Sequence, residues 1–175
     1  MGAIQRGFRL LLCLAILSGV HACAGGRGGR FAPRLGALRI SEALNDGDAA
    51  RRASVRLVLD GLDSDVAGSA GRARGSYERA MQVDPTNPYA YLAIARHYVE
   101  GAQPERALPF LDQAAALFAA QGENSPRVGV HLSGLRGEAH YSSGRIGEGV
   151  ELLERARDLA PYVWSDGHLS ADELR

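Results

Sequence analysis

Through the middle of the chain, apolar side chains return at intervals of three and four. Tyr91, Ile94, Ala95 and Tyr98 follow this spacing, and Ala107, Leu111 and Ala114 follow it again. Positions so spaced share one face of a helix, so each run predicts an amphipathic helix and the two together predict a packed pair. Small residues at the crossing let the two backbones approach closely, while the tyrosines and leucines fill the flanking grooves. The punctuation agrees with this reading. Pro88 is tolerated at a helix start because the first-turn N–H groups have no intrahelical partner. Ser125-Pro126 has the same grammar and predicts another leading helix beginning there.

The pattern repeats along the chain. Gly61 and Ala95 stand 34 residues apart, as do Gly68 and Ala102, Ala73 and Ala107, Tyr77 and Leu111, and Ala80 and Ala114. Gly137, Gly144, Gly149, Leu153 and Ala156 each lie 42 residues beyond their counterparts in the second set, which implies a uniform insertion of eight residues. That insertion lengthens the two helices flanking Gly122-Glu123-Asn124. Pro85 and Pro161 close the first and third units. Self-similarity at such a period marks stacked supersecondary units.

The clearest unit runs Asn87-Pro88-Tyr89-Ala90-Tyr91-Leu92-Ala93-Ile94-Ala95-Arg96-His97-Tyr98, then Ala107, Leu111 and Ala114, after an Asp84-Pro85-Thr86 junction. It resembles the tetratricopeptide repeat family, whose unit is 34 residues of helix, turn and helix. The third unit departs with Gly149 where alanine is usual, and the first with Asp60 where an aliphatic residue is expected. The resemblance implies an all-α fold, a right-handed superhelical array of about three helix-turn-helix units with capping helices. The repeat domain is expected over residues 48–165, with units at about 54–87, 88–121 and 130–163. Residues 40–44 with 48–59 are expected to form an N-terminal cap. Residues 162–175 are expected to cover the other end, anchored by Trp164, with 166–175 as a tail. The leading helices of such an array line a concave groove for a protein or peptide partner. By register, Tyr89, Leu92, Arg96, Val99 and Glu100 of the second unit look into it, with His131, Glu138 and Tyr141 of the third. The lysine and asparagine set with which family members clamp a terminal carboxylate is absent, which disfavours a receptor for chaperone tails.

The beginning of the chain reads as an address. Arg6 and Arg9 precede an apolar run over residues 10–20, followed by small residues, the layout of a secretory signal. The run is short of the roughly 20 residues a membrane-spanning helix needs. It ends in Val20-His21-Ala22-Cys23, which resembles the lipobox of bacterial lipoproteins, with His21 departing from the small residue usual there. The resemblance implies a signal peptide over 1–22 and a covalent lipid on Cys23. Ala24, in place of aspartate, implies an outer-membrane lipoprotein facing the periplasm. Ordinary cleavage, leaving a soluble periplasmic protein, is the alternative. A flexible Gly/Arg-rich tether is expected over 23–47.

Charge and chemistry narrow the function by exclusion. Twenty arginines, with no lysine, balance twenty acidic residues, so no net field draws the chain to nucleic acid. Aromatics are only 6%, and the abundance of alanine, leucine, arginine and glutamate favours helix over strand. With Cys13 inside the removed signal, Cys23 has no intrachain partner for a disulfide. His97, His131, His140 and His168 lack the spacing of a zinc site, so no metal is expected. No nucleophile elbow, phosphate loop or dinucleotide fingerprint occurs, so neither catalytic residues nor a cofactor are expected. With no catalytic machinery visible, the resemblance to repeat-bearing lipoproteins implies a non-enzymatic scaffold assisting assembly of an envelope complex, in the outer membrane, a pilus or secretion machinery. The alternative is an accessory subunit that binds peptidoglycan or regulates a cell-wall enzyme.

Overall fold

The computed structural model describes residues 34–175, so the expected signal segment, Cys23 and the first part of the expected tether lie outside the described residues. Among the described residues there are helices and no strand. Three helix pairs follow one another: α1 (Ala49–Val66) with α2 (Ala70–Val83), α3 (Pro88–Glu100) with α4 (Pro104–Ala120), and α5 (Pro126–Ser142) with α6 (Ile146–Leu159). Each pair also packs on the one before it, α3 against α2 and α1, and α5 against α4 and α3. A 3-10 helix at Ile40–Asn45 precedes the stack, and a single turn, α7 (Ala171–Leu174), follows it.

The caps explain where the leading helices begin. Asp48, Asn87 and Ser125 each accept a first-turn backbone N–H, from Arg51, Tyr89 and Val128. This satisfies a donor that the helix itself cannot. The start at Ser125-Pro126 is thus where the sequence places it. α4 and α5 are 17 residues each, so the insertion lengthens both helices around the Gly122 turn. One expectation changes. The run 48–59 is no separate cap: it is the first part of α1, the leading helix of the first unit. Asp60 on α1 is exposed because α1 is the first long helix of the stack, whereas Ile94, its counterpart 34 residues on, is 1% exposed against the preceding pair.

Small residues sit where helices nearly touch. A Cβ on Gly61 would lie 2.3 Å from the Tyr77 ring, and one on Gly149 would lie 2.5 Å from the Tyr141 backbone nitrogen. The third pair therefore approaches too closely for the alanine usual in the family at position 149. At the seam between the first two units, the Asn87 amide donates to Ser54 Oγ at 2.8 Å, and that hydroxyl donates to the Ala80 carbonyl at 2.8 Å. Both side chains are fully buried, so their mutual bonds spare each a desolvation penalty.

The turn inside each unit uses the same backbone device. Gly68, Ala102 and Gly144, the aligned positions, have φ of +69°, +54° and +85°. Left-handed backbone suits glycine and costs an L-residue about 1–2 kcal/mol. Ala102→Gly is expected to stabilise the protein by about 0.5–1 kcal/mol, the relieved strain less the greater entropy glycine loses on folding. A higher urea midpoint at unchanged slope is the readout, and a lower midpoint would refute it.

The flanking segments differ from expectation. Residues 34–47 are docked to the stack and do not continue the tether: Leu38, Ile40 and Ala43 are buried. The Leu35 N–H donates to the Leu159 carbonyl, and the Ser41 N–H donates to the Arg175 carbonyl. Residues 162–175 do not prolong the stack either. They turn back after Ala160, bury Trp164, Leu169 and Leu174, and bring α7 against α1. Isolated large apolar side chains in segments without helical period are what drives both dockings. On the last pair, Tyr141, Ile146 and Val150 are exposed among the described residues.

Candidate partner-binding face

Helices α1, α3 and α5 build the face that the sequence nominates for a partner. On α5, His131, Gly134 and Glu138 follow one another at three and four, and on α3 Tyr89, Leu92, Arg96 and Glu100 do the same. The face is not an empty groove, because the chain's own flanking segments lie on it.

Trp164 occupies the α5 portion. Its ring lies where a Cβ on Gly134 would come within 2.3 Å, and it meets the His131 ring edge-on at 6.2 Å between centroids. Glycine at 134 is therefore the slot that admits the indole. The buried His131 is held from both sides: Nδ1 donates to the Arg127 carbonyl at 2.8 Å, and Nε2 accepts the Leu38 N–H at 3.2 Å. A carbonyl can only accept and an amide can only donate, so these partners fix the neutral tautomer. Burial pushes the His131 pKa down.

Glu138, one turn further along α5, is buried, and its carboxylate lies 2.6 Å from His168 Nδ1. Burial raises the Glu138 pKa against the opposing pull of His168. The bond from Glu138 raises that of His168. On α3, the Arg96 side chain is 2% exposed and pairs with Asp65 of α1 and, at 3.5 Å, with Glu100. Asp65 also accepts the Tyr77 hydroxyl at 2.9 Å and lies 2.8 Å from His97 Nδ1. Burial works to raise the Asp65 pKa, but the bonds from His97 and Tyr77 and the charge on Arg96 outweigh it, so the pKa is lowered. Ser170, Ala171 and Asp172 of the returning segment line an open cavity with Arg96, His97 and Glu100.

Of the eight nominated side chains, Glu100 and Tyr141 face solvent, and Tyr89 is half-buried with its ring edge-on to Phe118 at 5.2 Å. Leu92, Arg96, Val99, His131 and Glu138 are buried. They do not line an open groove, since Leu92 and Val99 join the core and the flanking segments cover His131 and Glu138. Asp65, His97, Trp164 and His168, which organise this face, are absent from the nominated set. Gly134 at an inward position of a leading helix is the signal that could have found the tryptophan slot.

The two histidines pull stability in opposite directions with pH. His131 has a folded pKa below its ordinary value near 6.5, so its contribution is present above about pH 6.5 and is lost as pH falls through the folded pKa. His168 has a raised folded pKa, so its contribution is present below about pH 6.5 and is lost as pH rises through the folded pKa. Its side chain is 66% exposed, so solvent screening makes this second loss the smaller one. In urea midpoints measured from about pH 5 to about pH 8.5, His131→Gln should flatten the acid decline and His168→Gln the alkaline one. A profile unchanged by either variant would contradict the assignment.

Residues 66–128 match the model of the tetratricopeptide repeat family. That span runs from the end of α1 through the whole second pair into the start of α5. No match was found among curated proteins or among solved structures. Repeats of this family suggest protein–protein interaction scaffolds. By its three stacked helix pairs and by this match, the described chain has the fold of a tetratricopeptide repeat array.

Proposed function

We propose that the protein is a non-enzymatic interaction scaffold of the bacterial cell envelope, anchored through acyl chains on Cys23, that assists assembly of an outer-membrane, pilus or secretion complex. The observation that carries the scaffold role is that the face of α1, α3 and α5 already holds a stretch of polypeptide, through the Gly134 slot, His131 and Glu138. The envelope role is supported by the charged and apolar head of the chain and by Val20-His21-Ala22-Cys23. A thiol is required at the anchor position because it forms the thioether to the lipid, and each buried methylene adds about 0.8 kcal/mol of membrane affinity. Tyr141 and Glu100 are the accessible members of the partner face, and Tyr89 borders it.

The anchor is tested by intact mass of the membrane-extracted protein beside a Cys23→Ala variant. A mass beginning at Cys23 plus acyl chains, lost in the variant, is expected. An unmodified mature chain would remove the anchor from the proposal.

A further inference from the structure

Beyond Trp164, the returning segment is held by Leu169, Ala171 and Leu174, which are buried, by His168 at the Glu138 carboxylate, and by Arg175, whose Nε lies 2.6 Å from Asp63 and whose carbonyl accepts the Ser41 N–H. Asp166, His168, Ser170 and Asp172 are exposed. The single turn α7 closes on itself, since the Ser170 hydroxyl accepts the Glu173 N–H and the Glu173 carboxylate accepts the Ser170 N–H. The backbone N–H groups of Ser170 and Glu173 thus find their acceptors within the turn itself. The receiving side, by contrast, is specialised. A buried carboxylate at Glu138 requires a cation or donor, and His168 brings one from outside the helix stack. Trp164, seated upstream in its slot, keeps the segment tethered if the part beyond it leaves.

We infer that residues 168–174 are an exchangeable occupant of a peptide site on α1, α3 and α5, and that the site takes a partner segment bearing a cationic side chain followed by leucines one and six positions later. This rests on the scaffold reading above and names the partner chemistry. Position by position, the partner's cation replaces His168 at Glu138, and its leucines replace Leu169 and Leu174. The resident segment then acts as a competitor that only a matching sequence displaces, which gives specificity without a permanently open apolar groove.

The test uses the full chain and a fluorescein-labelled synthetic peptide with the sequence of residues 166–175. Apparent affinity is proportional to the fraction of time the site is unoccupied, so the wild-type protein, whose site is filled by its own segment, should bind weakly. A Leu169→Ser, Leu174→Ser double variant, with its own segment loosened, should bind the peptide at least about tenfold more tightly. Replacing the histidine of the peptide with alanine, or adding Glu138→Gln to the variant, should remove that gain. A double variant that keeps the wild-type helical circular dichroism yet binds no better would overturn the inference. Hydrogen exchange on the wild-type protein decides the matter without any substitution. Amides of residues 169–175 should exchange together and well before those of α3 and α5, and equal protection would make the segment a fixed part of the fold. Failure on either count overturns the exchangeable occupant and leaves the Cys23 anchor and the scaffold role, with Tyr141 and Glu100 as its accessible residues, intact.

Discussion

Trp164→Ala is expected to destabilise the protein by about 3–5 kcal/mol, the range for removing a large buried aromatic ring. The ring is completely buried, against Gly134 and His131 of α5. Its neighbour His131 also holds Leu38, so loss of the indole loosens residues 34–47 along with 162–175. The backbone at Gly134 is already close to the ring, which limits how far the site can collapse to fill the void. Gly134→Ala should destabilise by about 1–3 kcal/mol through overpacking against that ring. The two substitutions together should cost less than their sum, because the added methyl group enters the space the indole vacates. Urea unfolding of the four proteins gives the comparison. Full additivity would mean that Trp164 and Gly134 do not share one packing site.

The parts of this fold that are legible in the sequence are those with a period. The repeated positions Gly68, Ala102 and Gly144 all prove to be left-handed turns, and Ser125-Pro126 does begin a leading helix. Periodicity is readable because every residue on one helix face meets the same kind of neighbour. Residues 34–47 and 162–175 have no such regularity. Leu38, Ile40, Trp164, Leu169 and Leu174 are each placed by a contact with a distant part of the chain, as when the Leu38 N–H meets His131 93 residues later. Local pattern carries no trace of such pairings, so a glycine-rich beginning made the first segment look like a tether throughout. The same distinction runs through the candidate face. Helical register puts Arg96, His131 and Glu138 on the inner side, but whether water or the chain's own segments meets them there is a tertiary fact.

Asp65→Ala is expected to cost about 3–5 kcal/mol, because it leaves the Arg96 guanidinium as an uncompensated buried charge. Arg96 lies on the second unit and is 2% exposed, and its remaining acidic partner, Glu100, is 65% exposed at 3.5 Å. Loss of Asp65 also strips the Tyr77 hydroxyl and His97 of a shared acceptor. The ion pair itself need not be worth so much. A buried pair replaced whole by apolar side chains of similar volume is often neutral, since the desolvation of both charges is relieved together. Asp65→Leu with Arg96→Met and Tyr77→Phe should therefore recover most of the stability that Asp65→Ala loses. Chemical unfolding of the wild type, the single variant and the triple variant separates a buried-charge penalty from a loss of packing. A triple variant as unstable as the single one would mean that the shape of Asp65, and not the charge left on Arg96, governs the site. If the recovery occurs, Arg96 is a strut between the first two units, and substituting it in any binding experiment reports on the integrity of the fold before it reports on a partner.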